Sequence, residues 1–327
     1  MTSQPMLLLT GADVARLLPM AGCIAAVERA FQALAEGRAP PPGVLGTHVE
    51  GGGFHIKTAV LDGYYAAKIN GNFPGNPAWS GLPTIQGVAI LADARDGRPL
   101  AIMDSIELTA RRTGAATALA ARHLARADAR VAAIVGCGRQ AMSQVEALKA
   151  VRPLARIQAF DRDIAHAQRF ATAASVLGLD VMIAADIRQA LAGADICVTC
   201  TPSHQPILSA ADVPAGMFIA AVGADNPEKS ELAPGLMASA RVVVDLLDQC
   251  ATIGDLHHAI GAGAMTAARV HGDLADLLTG RKLGRVSEDE ITIFDSTGTA
   301  IQDVAAAALV HERARAAGIG LEIALAA

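Results

Sequence analysis

The chain has 327 residues, enough for two domains or one large α/β domain. Apolar residues make up 52% of it and aromatic ones only 3%, so the core must be built from Ala, Val, Leu and Ile. The net charge of −5, with both signs mixed, argues against a nucleic-acid partner, and no apolar run approaches the roughly 18 residues of a membrane span.

The opening "PMLLLTGADVARLL" has too short an apolar stretch and no basic start for a signal peptide, so a cytoplasmic protein is expected. Residues 10–36 read as helix, broken or kinked near Pro19 and stopped by Gly37. A Pro-rich hinge, "APPPG", leads into strands punctuated by Gly and Pro: "FHIKTAVL", "YYAAKIN", "QGVAILADA" and "RPLAIMDS". The "ARDGRP" segment is a hairpin turn, which predicts an antiparallel region. Next comes an Ala-rich helix, "ELTARRTGAATALAARHLA", with Asp104 placed to cap it. One residue in this region raises a question. Lys68 ends an apolar strand, where it either snorkels to water or waits for an anion.

From residue 130 the grammar changes. Apolar runs, "VAAIVG", "RIQAFD", "ICVTCT", "FIAAVG", "RVVVDL" and "ITIFDS", alternate with helical stretches, the pattern of a parallel sheet buried on both faces. The closing "TAIQDVAAAALVHERARAAG" reads as an amphipathic helix able to fold back on the first domain. The fold class is therefore α/β: a Rossmann-type doubly wound parallel sheet plus an α+β domain with a largely antiparallel sheet. The boundaries fall at residues 1–115, rejoined by 300–327, and at 116–299.

"VAAIVGCGRQAMSQVEAL" places Gly136, Gly138 and Ala141 in G-x-G-x-x-A spacing, directly after a strand and opening a helix. Gly136 allows the tight turn, and Gly138 lets backbone approach a pyrophosphate seated at the helix N-terminus. Asp161 ends the next strand, where a carboxylate accepts from ribose hydroxyls and repels a 2′-phosphate, which favours NAD. Arg162 beside it leaves NADP possible. Thr201 and Gly223 are small residues at later strand ends of the same crevice. Asp225 lies just beyond, as a turn cap or a group facing the nicotinamide.

The five cysteines are odd in number and scattered, against a disulfide framework. Cys197 and Cys200 form a C-x-x-C inside a strand, where positions three apart face opposite sides, and read as core thiols. His257 and His258 are adjacent, project differently and have no companion ligand at metal-site spacing. No metal is expected.

Several separated motifs, "AAKINGNFPGN", "GRPLAIMDSIELTARRTGAAT", "VGCGRQA", "CTPSHQPIL", "VGADNPEKSEL", "HGDLADLLTG" and "ITIFDSTGTAIQDVA", resemble the ornithine cyclodeaminase/μ-crystallin family from about residue 30 to 315. The resemblance implies that Lys68 and Arg112 meet a substrate carboxylate and that Asp225 handles the substrate nitrogen and its proton. It implies that Thr84, Arg112, Gln140, Asp161 and Thr201 contact NAD, with Ser296 near the nicotinamide. Thr113, Gly136, Gly138, Arg139, Val222 and Gly223 complete the expected cofactor set. The implied partners are a small amino or imino acid and a second copy of the chain, joined through the antiparallel sheets. The implied activity is reduction of a cyclic ketimine or imino acid such as Δ1-pyrroline-2-carboxylate. A redox-neutral cyclodeaminase is the alternative, followed by a non-catalytic ligand-binding protein.

The sequence departs from the family at Gly43, where many members carry a further carboxylate-binding arginine. Lys57 is the candidate replacement. Strand alternation puts His55, Lys57 and Ala59 on one face, which meets either the substrate or water. In the first case, a basic site disfavours a diamino acid such as ornithine through like-charge repulsion.

Overall fold

The computed structural model describes residues 5–325. Glycine and proline set the boundaries of its first third. Strand β1 (Met6–Leu9) leads into α1 (Gly11–Leu17), started by a reciprocal Thr10–Asp13 cap. Pro19 separates α1 from α2 (Met20–Ala35), and Gly37, at φ 70°, ends the helical run. A meander follows, with β2 (Gly43–Val49), β3 (Gly52–Leu61), β4 (Tyr64–Asn72), the short α3 (Asn76–Trp79), β5 (Ile85–Asp93) and β6 (Pro99–Asp104). In α4 (Ser105–Leu124) the first turn is capped by Asp104, whose Oδ1 accepts from Glu107 N at 2.8 Å.

Alternation of strand and helix then sets in. It runs β7 (Val131–Val135), α5 (Arg139–Lys149), β8 (Arg156–Phe160), α6 (Ile164–Ser175), β9 (Asp180–Ile183), α7 (Ile187–Leu191) and β10 (Ile196–Thr199). The chain continues through β11 (Phe218–Ala221), α8 (Pro234–Ser239), β12 (Arg241–Val244), α9 (Leu247–Ile253) and α10 (Asp255–Gly261). It closes with β13 (Gly272–Asp273), α11 (Leu274–Leu278), β14 (Thr292–Asp295), α12 (Ala300–Ala317) and β15 (Leu321–Ile323). Two compact units result: Met1–Arg112 with Thr299–Ala327, and Thr113–Gly298.

The first unit holds a seven-stranded sheet in the order β15-β1-β6-β5-β4-β3-β2, antiparallel apart from the β1–β6 pair. Register decides its two faces. Lys57 lies opposite Lys68, Ala59 opposite Ala66, Ala89 opposite Met103 and Leu91 opposite Ala101. Directly paired residues share a face, and all eight of these are buried. Helix α12 packs on this face against β3 and β4, with α2 against its other side. The sequence predicts an amphipathic α12, but residues 300–307 are buried without a break because the helix lies between α2 and the sheet. The opposite face of the sheet is also apolar yet uncovered within the chain: Leu45 is 62% exposed, Phe54 42% and Val88 41%.

The second unit is a parallel eight-stranded sheet in the order β13-β12-β14-β11-β10-β7-β8-β9. Its central strands are continuous apolar runs, buried along their whole length in β10, β11 and β14. From β7 the chain moves to β8 and β9 on one side, then returns to place β10 on the other. The carboxyl ends of β7 and β10 therefore flank a topological switch point, where doubly wound sheets bind ligands.

Candidate active site

In the first unit, Lys68 is central in β4 and not at a strand end as expected, because pairing with β3 and β5 carries the strand on through Asn72; α4 carries Arg112, and α12 brings a residue that the sequence did not mark, Asp303. Lys68 Nζ lies 2.9 Å from each oxygen of Asp303, and Arg112 Nε lies 2.9 Å from its Oδ1. Arg112 Nη1 donates to Gln302 Oε1 at 2.8 Å. Lys68, Arg112 and Asp303 are 3%, 4% and 1% exposed, so Lys68 does not snorkel to water. Two cations thus share one carboxylate in a buried place. Such charges persist only when paired and hydrogen-bonded.

The electrostatics follow from that count. Burial pushes the Lys68 ammonium down to about 7, reinforced by Arg112 and Lys57, while Asp303 pulls the other way. For Asp303 burial acts upward, but Lys68 and Arg112 outweigh it and hold the carboxyl below its ordinary range. Lys57 does not face water: it is 8% exposed and opposite Lys68 in register, on the α12 face. His55 and Ala59 share that face by alternation. Gly43, where a further carboxylate-binding arginine was looked for, lies on β2, and a Cβ there would come within 2.9 Å of Thr58 Oγ1.

The second unit contains a cradle shaped for a dinucleotide. Gly136 follows β7 directly at φ 94°, and a Cβ there would meet Cys200 O and Thr201 Cγ2, each at 2.9 Å. Around Gly138, by contrast, a Cβ would meet nothing within 4 Å. Gly138 is also the N-cap of α5 and supplies no side-chain cap, with Ala141 N donating to Gly138 O at 3.2 Å, and a helix N-terminus placed after a strand in this way favours an anion. Gln140 in this first turn has a buried Oε1 without a hydrogen-bond partner. Asp161, just after β8, accepts from Cys137 N at 2.8 Å and from Asp163 N at 2.9 Å, tying the carboxylate to the glycine turn itself. A carboxylate has about four lone-pair sites, so two remain for ribose hydroxyls. These residues fit a dinucleotide with an unphosphorylated ribose.

The later strand ends are fixed by buried acids. Thr201 donates both its N and its Oγ1 to Glu231 Oε1, at 2.7 Å each. Gly223 N donates to Glu231 Oε2 at 2.9 Å, and Val222 N to Thr199 O at 2.9 Å. Ser296 Oγ donates to Asp245 Oδ2 at 3.1 Å, and Asp245 also accepts from Gly298 N at 2.6 Å. The side chains of Thr201 and Ser296 are thus engaged by acids, and what these turns offer a ligand is shape and backbone. The Asp225 side chain is 44% exposed and pairs with Lys229 at 2.7 Å. Capping of its turn comes from Asn226, whose Oδ1 accepts from Glu228 N and Lys229 N at 3.0 and 3.1 Å.

Thr84 stands in the first unit immediately before β5, its carbonyl accepting from Phe73 N at 2.8 Å. Thr113 is buried within α4, and Arg139 opens α5 on the exposed side of the glycine turn. No group of three or more metal-ligating side chains exists among the described residues. Cys200 Sγ donates to Gly136 O at 2.9 Å, and Cys197 is a buried free thiol. His257 and His258 each hydrogen-bond a carbonyl, Ala251 O at 3.3 Å and Lys229 O at 2.9 Å.

With this geometry in place, the model of the ornithine cyclodeaminase/mu-crystallin family matches residues 4–318. The chain belongs to that family. An archaeal alanine dehydrogenase, a dimer with bound NAD, is 38% identical with a TM-score of 0.94, covering 98% of this chain and 99% of its own. The Δ1-pyrroline-2-carboxylate reductase of Thermococcus litoralis, in complex with NADH and L-proline, is 30% identical with a TM-score of 0.93, covering 97% and 100%. The iminosuccinate reductase of Paracoccus denitrificans, in complex with NAD+, is 31% identical with a TM-score of 0.89, covering 98% and 100%. The expected α/β architecture, one parallel sheet and one mostly antiparallel, agrees with these structures.

Proposed function

We propose that the protein is an NAD-dependent oxidoreductase acting at a C–N bond, reducing a small 2-imino acid, cyclic or open-chain, to the amino acid. The observation that carries this reading is the buried Lys68–Arg112 pair with a single carboxylate between them. Two cations and one anion leave a positive charge that a substrate carboxylate neutralises. Arg112 supplies a planar fork and Lys68 a point charge.

NADH supplies the hydride when bound. Gly136, Gly138, Arg139, Gln140 and Asp161 are the residues to hold its pyrophosphate and ribose. Thr201, Val222, Gly223 and Ser296 shape the remaining strand ends, with Thr84 and Thr113 as further contacts. Asp225 is the group assigned to the imino nitrogen, where a carboxylate stabilises an iminium and transfers its proton. Its present partner, Lys229, is half of an i,i+4 pair that a cationic nitrogen can replace. Asp161 favours NAD over NADP by repelling a 2′-phosphate.

The substrate class follows from charge. Lys57 beside Lys68 adds positive charge to that sheet face and disfavours the distal ammonium of ornithine. A neutral side chain or a second carboxylate suits the site. The partner is a second copy of the chain, paired through the apolar sheet face that bears Leu45, Phe54 and Val88.

The test is NADH absorbance over time with the purified protein and Δ1-pyrroline-2-carboxylate, or with pyruvate and ammonia. A decline that needs both protein and substrate supports imine reduction. Constant NADH with ammonia released from an amino acid would replace this reading with redox-neutral cyclodeamination on the same residues.

A further inference from the structure

Glu231 is fully buried, and its carboxylate is enclosed by four donors. Oε1 accepts from Thr201 N and Thr201 Oγ1 at 2.7 Å each, and Oε2 accepts from Thr199 Oγ1 at 2.8 Å and Gly223 N at 2.9 Å. Its backbone is held from behind. Glu231 N and Leu232 N donate to Asp255 Oδ1 at 2.8 and 3.0 Å, and Leu256 N beside Asp255 donates to Asp295 Oδ2 at 2.9 Å. One carboxylate therefore ties the ends of β10 and β11 together, and its backbone is anchored through Asp255 to the end of β14. It also closes the 223–231 loop, which carries Asp225, upon itself. The packing is tight, since a Cβ on Gly223 would lie 2.4 Å from Thr201 O and 2.6 Å from Glu231 Cδ.

We infer that Glu231 is a positioning residue that holds the Thr201 turn and the Asp225 loop as one rigid edge of the cofactor crevice. This rests on the dinucleotide reading of that crevice. What decides the outcome is which donors can change role. The two hydroxyls can rotate to accept, but the N–H groups of Thr201 and Gly223 can only donate, and one faces each oxygen. In Glu231→Gln the amide NH2 must replace one oxygen, so either assignment sets it against an obligate donor. A change that preserves shape therefore breaks the clasp.

The experiment measures the Kd for NADH by fluorescence, without substrate, on the full-length chain. For Glu231→Gln the Kd rises about tenfold or more, the scale of one lost charge-assisted hydrogen bond. At saturating NADH kcat also falls, because the Asp225 loop is released, while the KM for the imino acid changes little. Val242→Ala, a core change on β12, separates positioning from general loosening: it lowers Tm and leaves Kd unchanged. An unaltered Kd in Glu231→Gln overturns the inference, as does an equal rise in Val242→Ala. Should Glu231→Gln not fold, Thr199→Val removes one donor in a near-isosteric way, and a Kd that does not rise in it is equally fatal. Absence of imine reduction leaves this binding test intact. Absence of NADH binding by the unaltered protein removes the cofactor reading and this inference together.

Discussion

Replacing Asp303 by Asn keeps the shape of the cation cluster and removes the negative charge that Lys68 and Arg112 share. Of the influences on Lys68, Asp303 alone acts upward, both through its charge and through the 2.9 Å hydrogen bond. Without it, burial, Arg112 and Lys57 all push the ammonium the same way, to below its present value of about 7. At neutral pH Lys68 is then an uncharged amine. A hydrogen bond to a charged group is worth about 1.5–3 kcal/mol, so the KM for the imino acid should rise roughly ten- to a hundredfold. The neutral lysine also relieves part of the burial cost, so the loss of Tm should be smaller than for Asp303→Ala. The assay is kcat/KM against pH for both proteins, since acidification restores the charge on Lys68 and should recover much of the loss. A variant whose KM and pH profile match the parent would show that Lys68 does not hold the substrate carboxylate.

Four other outcomes can be checked independently. In the unaltered protein kcat/KM should fall about tenfold per unit above pH 7, as Lys68 loses its proton, whereas a flat profile to pH 9 would exclude an ionised Lys68 from binding. Stability should move the other way: between about 7 and the ordinary value of 10.5 the unfolded chain holds more protons than the native one, so this group adds stability as pH rises across that window, readable as Tm against pH. Asp161→Asn should shift the ratio of NADH to NADPH efficiency toward NADPH by roughly tenfold, because the repulsion of a 2′-phosphate is lost while an acceptor for Cys137 N remains; an unchanged ratio would place the ribose elsewhere. Val88→Glu sets a charge in the uncovered sheet face and should convert a dimer to monomer in light scattering, against a parent that is monomeric at all concentrations if the face is not an interface.

Local features of the fold were legible because their cause is local. Pro19 divides two helices, Gly37 ends the second, and the glycine turn after "VAAIV" needs a positive φ that the sequence announces. The strand carrying Lys68 was legible too, and its charged residue raised the right question. What covered the strand was not, because alternation says which residues share a face and not which face is roofed. The roof over Lys57 and Lys68 is α12, from the other end of the chain. The stretch "TAIQDVAAAALVHERARAAG" reads as an amphipathic helix, yet α2 and the sheet enclose it from opposite directions.

The same separation explains the two acids that escaped notice. Asp303 stands in "AIQDVAAAALV", a lone carboxylate among small apolar residues. A charge in a helix that is otherwise buried must be paired, and that rule could have marked it as the partner of a cation at a distance. Glu231 carries no such mark. "NPEKSEL" reads as a solvated turn, and the acid owes its burial to strand ends that become neighbours only once the parallel sheet is wound. Thr201 and Ser296 spend their hydroxyls on Glu231 and Asp245, so the sequence exposes the groups a ligand would touch more readily than the acids that hold those groups in place. Electrostatics divides the two kinds of acid further. Asp303 is held ionised by two cations, whereas burial and the nearby Asp255 push Glu231 up to about 7 against the hydrogen bonds from Thr201 and Thr199. The first therefore acts on charge and the second on geometry, which is why Asp303→Asn should be seen in a pH profile and Glu231→Gln in a binding constant.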